Sequence, residues 1–404
     1  MKVLKQKAGF ILQILIIILI AALTFHKMFH GEDAREIIRC LRRAKKCWIA
    51  IGALLMVFFV FAEAVQLRIL FRGMGQKISL FRCYLLSNIE FFFAQITPGA
   101  AGGQPIQMIY MGRFGVDMLV GALACMVIAV LYKAAFLLIF LVTLLLRPKL
   151  VLSTISRVPV LFSFGVIFQL LSIFFLTLCI FRPVWASALL EKIIRLGVKL
   201  HIVKHPDRAR AKAKYSVEMY RNGSKFLKEH KWVVARMFLY TVLQRLAYFS
   251  VTFCVAKALH VRHADWLGIV AIQVILSLSV DALPLPGAAG ANEAVFLRIQ
   301  ERWFHTEERL GAALLLNRGL TYYFLLICCG AFTVCANFMR KKRHHGYLMD
   351  PTGAPFNPEQ IPENMPEKIT ENDTEAEGAS GMITETEAVG PSEPACGGEK
   401  PGGN

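Results

Sequence analysis

Several catalytic signatures are missing from this chain. Its ten cysteines include no C-x-x-C pair, which argues against a zinc ribbon or a dithiol redox centre. There is no Gly-rich phosphate loop, no His/Cys/Asp/Glu cluster at metal-ligand spacing and no Ser-His-Asp logic, and the histidines lie mostly in polar loops. Neither a metal nor a cofactor is therefore expected. Charge is also sparse, at 18% of residues. Cys125, Cys179, Cys254, Cys328, Cys329 and Cys335 fall inside apolar runs, where cysteine behaves as a small hydrophobe. The first apolar run, Gly9 to Phe25, follows Lys2, Lys5 and Lys7, but no A-x-A-type cleavage site comes after it. It reads as an uncleaved first span.

What the chain has in abundance is apolar sequence. Hydrophobic residues make up 56% of 404, with mean hydropathy +0.51. These values place it among polytopic, all-α membrane proteins. Full spans are expected at Gly9–Phe25, Trp48–Leu70, Asp117–Leu146, Pro159–Phe181, Trp232–Lys257 and Leu310–Phe338. His26–Lys46 reads as an interfacial helix with Ile37, Ile38 and Leu41 on one stripe.

The net charge of +18 is unevenly spread. From Asp350 on, twelve acidic residues face two lysines, a net of −10, which leaves +28 for the rest. Thirteen Lys or Arg lie between Arg182 and Lys231, and Arg340-Lys341-Lys342-Arg343 follows the last span. The positive-inside rule puts both segments in the cytoplasm, against anionic headgroups. A plasma-membrane protein with both termini cytoplasmic is expected. Nothing basic belongs to a nucleic-acid reader fold, so no nucleic-acid partner is expected.

The most informative stretch is Ala94–Gln107, AQITPGAAGGQPIQ. Pro and Gly here would break a lipid-facing helix. The five residues Pro98-Gly99-Ala100-Ala101-Gly102 return as Pro286-Gly287-Ala288-Ala289-Gly290. Irregular backbone at membrane depth is tolerated only where protein buries it or where it lines a wet cavity. Parity between the two basic segments makes each breaker region return to the side it entered from. A re-entrant helix pair does this, and so do two full crossings. An odd number of spans separates the two regions, so they open from opposite faces. The expected architecture is six full spans plus two re-entrant pairs related as an inverted repeat, with a site near the midplane. The first repeat covers about 48–181 and the second about 232–338, within a transmembrane domain of 1–343; residues 344–404 form an acidic, disordered tail.

At these motifs the chain resembles the flippase-like transmembrane domain of the lysylphosphatidylglycerol synthase family. Ile96-Thr97-Pro98-Gly99-Ala100-Ala101-Gly102-Gly103-Gln104-Pro105 matches the first family segment. Pro284-Leu285-Pro286-Gly287-Ala288-Ala289-Gly290-Ala291-Asn292-Glu293 matches the second, and Asn317-Arg318 matches an Arg in the last span. The resemblance covers roughly Gly9 to Arg340. It implies movement of lysylphosphatidylglycerol, or another lipid-linked molecule, between leaflets. This chain departs from the family at Gln104, often acidic there, at Gln107, often Arg, and near Lys133, where an acidic residue is common. Synthase members carry a second domain that takes lysine from lysyl-tRNA, and the short polar tail is not expected to fold one. The alternative reading is phosphatidylglycerol lysyltransferase, with its role in lysylphosphatidylglycerol synthesis and cationic peptide resistance, supplied by a separate synthase subunit. A dimer partner is a further possibility, and a scaffold with a recruiting tail is disfavoured by the broken helices.

Ionisable groups inside spans are functional candidates by default. Glu293 opens a helix after the second loop, where it either serves the site or caps free backbone N–H groups. Arg318 is its candidate partner, or a ligand for lipid phosphate. Gly99, Gly102, Gly103, Gly287 and Gly290 allow close backbone approach, and Asn292 belongs to the same motif. Gln95, Gln104 and Gln107 suit an uncharged or zwitterionic head, or satisfy broken backbone. Glu63 and Glu90 pair with Arg245 or with Lys133, and Asp281 caps the second breaker or binds a cation. Arg68 lies near a span end and is expected to snorkel. The tail has no apolar period, so truncation after Arg343 should leave membrane insertion and monodispersity intact; loss of either in a fractionation assay would contradict this.

Overall fold

The computed structural model describes residues 33–181 and 225–338. The expected span Gly9–Phe25, most of the basic loop, the basic stop and the acidic tail lie outside the described residues, all of which fall in one compact unit. The fold is all-α, with no strand among the described residues.

The first half comprises α1 (Asp33–Arg43), α2 (Lys46–Gly73), α3 (Leu80–Ile96), α4 (Gly103–Arg113), α5 (Met118–Leu146), α6 (Pro148–Ile155) and α7 (Pro159–Phe181). The second comprises α8 (Lys231–Ala258), α9 (Trp266–Val280), α10 (Ala291–Gln300), α11 (Glu307–Arg318), a π-helical turn (Gly319–Phe324) and α12 (Leu325–Phe338). Five helical stretches are long and apolar enough to cross a bilayer: α2, Val120–Leu146 within α5, Pro159–Leu178 within α7, α8, and the continuous run Glu307–Phe338. They match the five expected spans that fall among the described residues. The structure adds α6, which sequence periodicity missed; Pro148 opens it at a position where its missing N–H costs nothing.

Local chemistry sets the helix starts. Ser79 accepts the amide of Arg82 at 3.3 Å to begin α3, and Asp265 accepts the amide of Gly268 at 3.0 Å to begin α9. Residues at these two corresponding helix starts do the same job.

The ends of the helices segregate into two faces. On one, Gly73 abuts Phe226, the Arg82 guanidinium lies 5.8 Å over the Phe114 ring, and Arg113 meets Asn337 at 3.1 Å. On the other, the amide of Lys45 reaches the Ala258 carbonyl at 3.0 Å, Arg147 pairs with Asp265 at 2.9 Å and Arg157 with Glu301 at 3.2 Å. Arg82 and Phe114 place the start of α3 and the end of α4 together. His263, stacked 6.2 Å from Trp303, does the same for the start of α9 and the end of α10. Each short pair therefore returns to its own face, and the faces differ.

The halves interlock. α2 packs along α8; α3 packs on α12, and α9 packs on α5. Each re-entrant pair thus leans on a span of the other half, as an inverted repeat requires. Many large side chains on α5 and α7, among them Leu145, Phe164, Phe168, Leu171 and Phe174, are exposed. In lipid this is the solvated surface, not an aggregation patch. The most apolar stretch of α7 is only 11% buried, the least of the five spans among the described residues.

α7 nevertheless approaches α9 closely at one point. A Cβ at Gly165 would lie 1.6 Å from the Leu278 carbonyl oxygen. Gly165→Ala should cost roughly 1–3 kcal/mol by overpacking, read as a lower thermal midpoint in detergent. Gly112→Ala meets nothing within 4 Å and should leave the midpoint unchanged; equal shifts would refute the close packing.

Candidate functional site

The two breaker loops meet. Pro98 and Pro286, at the same position of the repeated pentapeptide, face each other as an isolated antiparallel backbone bridge. Equivalent residues paired antiparallel are related by a local two-fold. The loops also share a conformation. The amides of Ala100 and Ala101 reach the carbonyls of Thr97 and Pro98, and those of Ala288 and Ala289 reach Leu285 and Pro286. Positive φ recurs at matched places: Gly99 60° and Ala100 57°, Gly287 57° and Ala288 50°. For alanine this region costs of order 1–3 kcal/mol and persists only where the surroundings enforce it.

Pro98, Gly99, Ala100 and Ala101 are exposed, as are Asp281, Pro284, Leu285 and Gly290. Irregular backbone exposed to hydrocarbon is not viable. In a bilayer these groups therefore need a polar neighbour in place of hydrocarbon.

The second loop is anchored by an ion pair. Arg318 Nε lies 2.6 Å from Glu293 Oε1, with both side chains almost buried at 10% and 13% exposure. Arg318 Nη2 donates to the Gly287 carbonyl at 3.1 Å. Glu293 Oε2 accepts the Gly290 amide at 2.6 Å. Of the readings of Glu293, the structure shows the capping one: it caps α10, and it also pairs with Arg318. The Tyr322 ring presses on Gly287, where an added Cβ would come within 2.2 Å, and stacks on the Arg318 guanidinium at 4.9 Å. Arg318 directly precedes the π-helical turn Gly319–Phe324, and π-turns in long helices often mark functional sites. Asn292, next to Glu293 in the chain, is buried, whereas Asn317 accepts from Thr252 at 2.8 Å.

The first loop is tied differently. Gly103 opens α4 with its Cβ position 2.8 Å from the Glu90 carbonyl, and the Gly102 amide binds Thr97 Oγ1 at 2.9 Å. Gln104 donates to the Cys125 carbonyl at 3.3 Å. Gln107 turns inward: its amide donates to Glu63 Oε1 and to the Leu86 carbonyl, each at 3.3 Å. The Gln95 carbonyl is 3.5 Å from Tyr322 Oη, a contact between the two halves.

Deeper lies the charge network. Glu63 and Glu90 sit beside each other within electrostatic range of Arg245. Arg245 is enclosed by aromatic rings, with Tyr132 at 4.0 Å and Phe59 at 4.6 Å. Tyr132 donates to Asp281 at 3.4 Å, so one tyrosine links Arg245 to the end of α9. Of the two pairings open in sequence, the carboxylates of Glu63 and Glu90 face Arg245. Lys133 instead donates to Gln169 at 3.2 Å. Asp281 is the residue that ends α9, its backbone amide bonded to the Ser277 carbonyl and its carboxylate accepting from Tyr132. Arg68, expected to snorkel, is half-buried, and its Nε is buried without a hydrogen-bond partner among the described residues. Sequence reasoning missed Tyr132, Tyr248 and Tyr322. The available signal was position, since tyrosines in mid-span lie outside the interfacial belts where such rings usually sit.

A multi-pass membrane protein with two broken helix pairs meeting through equivalent prolines defines the class. The chain belongs to the family described as the lysylphosphatidylglycerol synthase TM region, which it matches over residues 10–329. It is also similar to a UPF0104 membrane protein from Archaeoglobus fulgidus, 25% identical over 338 residues, covering 81% of this chain and 97% of that protein.

Removing Arg318 strands Glu293 in the interior. Arg318→Ala should lower stability by roughly 3–5 kcal/mol, more than Arg68→Ala, which breaks no ion pair among the described residues. Equal losses of thermal midpoint at equal protein levels would contradict the assignment.

Proposed function

We propose that the protein moves a phospholipid, such as lysylphosphatidylglycerol, or another lipid-linked molecule between leaflets, using the space where the two loops meet. The observation that carries this reading is the Pro98–Pro286 bridge between loops entering from opposite faces. A scaffold has no use for broken helices in contact at its centre. A translocation site does, because it must offer polar backbone to a headgroup within an apolar slab. Gly99, Gly102, Gly103, Gln104, Gln107, Gly287, Gly290, Asn292, Glu293 and Arg318 form the headgroup site. The Arg318 guanidinium is the group for phosphate, exchanging its Gly287 contact for the lipid.

The plasma membrane is the proposed location, with the face of Gly73 and Asn337 cytoplasmic, where the basic loop and stop meet anionic lipid. Synthesis of lysylphosphatidylglycerol, with the resistance to cationic peptides that follows, is the second reading and requires a separate synthase domain. It draws support from the family description alone.

The test uses full-length protein in phosphatidylcholine vesicles with tail-labelled phosphatidylglycerol or lysylphosphatidylglycerol. Faster redistribution than in protein-free vesicles is expected. Ala101→Cys and Ala289→Cys, in a background without native cysteines, should each react with a small water-soluble thiol reagent, and added lipid should protect both. Inert cysteines, or labelling of both from one face only in every state, would defeat the reading.

A further inference from the structure

The headgroup site leaves one buried group of charges unused. Glu63 is 5% exposed, and Glu90 Oε2 is buried with no hydrogen-bond partner among the described residues. Arg245 is 3% exposed, and its Nε and Nη2 are likewise buried and unpartnered among the described residues. Within the spans, Arg245 lies within electrostatic range of both carboxyls, yet no ion pair within 4.0 Å closes between them among the described residues.

The charge count decides what is missing. Asp281 is exposed at the open end, within electrostatic range of Arg245 first and of Lys133 second. Glu63 and Glu90 then confront a single cation, Arg245. Fully ionised, the inner group carries one negative charge in excess. An uncompensated charge in a low-dielectric interior is strongly disfavoured, and paired carboxyls near one another relieve this by keeping one proton between them.

No other neighbour among the described residues supplies the balance. From α4 comes the neutral amide of Gln107; from α5 come Cys125 and Tyr132; from α8, besides Arg245, comes Gln244; and from α12 comes Cys329. No group of three or more His, Cys, Asp or Glu able to hold a metal ion occurs among the described residues. Hard cations take six or more oxygens, whereas aromatic rings enclose Arg245.

We propose that Glu63 and Glu90 form a proton-binding site that holds one exchangeable proton between them beside Arg245, and that this proton couples lipid movement to a proton gradient. The second half of this statement rests on the translocation reading above; the first does not. Loading takes one proton from water onto the Glu63–Glu90 pair and leaves a neutral triad with Arg245. Release returns that proton to water and leaves Arg245 facing two carboxylates. The extra charge changes the attraction between α2, α3 and α8, and Gln107 carries that change to the first loop through Glu63.

Infrared spectroscopy on the purified full chain in lipid nanodiscs tests the site without any lipid substrate. A protonated-carboxyl stretch that shifts in heavy water should be present at neutral pH and bleach as pH is raised. It should vanish in Glu63→Gln and in Glu90→Gln, because the remaining carboxylate then pairs with Arg245, and it should survive in Asp281→Asn. Absence of the band in the native protein, its persistence in both Gln variants, or its loss in Asp281→Asn alone would overturn the site.

Coupling is read separately in vesicles with tail-labelled phosphatidylglycerol. A transmembrane pH gradient should change the redistribution rate several-fold in the native protein and have no effect in Glu90→Gln. Redistribution indifferent to the gradient would overturn the coupling and leave the translocation reading in place. An intact infrared band without redistribution would overturn the translocation reading and leave the proton site.

Discussion

An apolar slab gives a broken helix no water to satisfy its freed backbone groups. Every other feature of the centre answers that constraint. The two pentapeptide loops cannot dissolve in lipid, so they face each other across the Pro98–Pro286 bridge. Neither proline has an N–H to leave unsatisfied. Glu293 takes up the Gly290 amide, and Arg318 takes up the Gly287 carbonyl. The remaining exposed backbone lies at the two loops, Pro98 to Ala101 in the first and Pro284, Leu285 and Gly290 in the second.

The halves are alike in backbone and unlike in chemistry. Positive φ values recur at matched loop positions. Yet the second loop is held by a buried ion pair, and the first by neutral amides and a Thr97 hydroxyl. The asymmetry follows from sequence: Glu293 and Arg318 stand at the second loop, whereas Gln104 and Gln107 stand at the first.

Arg245 shows how a charge can lie between spans at modest penalty. Aromatic faces contribute their negative quadrupole where no carboxylate among the described residues makes direct contact. The same cage keeps the guanidinium fixed while Glu63 and Glu90 change their protonation.

Apolar length and period were legible in the chain itself, because helix in a membrane is dictated locally: each segment must satisfy its own backbone. The five spans among the described residues and the opposed entry of the loops followed from run lengths, Pro and Gly positions, and the parity of basic segments, which left a re-entrant pair and two full crossings both open. The candidates Glu293 and Arg318 were legible too, since a charge inside an apolar run is too costly to keep unless it binds or pairs with something. Pairing was not. Whether Glu63 and Glu90 meet Arg245 or Lys133 depends on how α2, α3, α5 and α8 rotate against one another, and the apolar faces that set those rotations look alike in sequence. The π-helical turn after Arg318, the Tyr132 bridge from Arg245 to Asp281, and the contact between equivalent prolines were likewise decided by tertiary packing, because each depends on residues far apart in the chain.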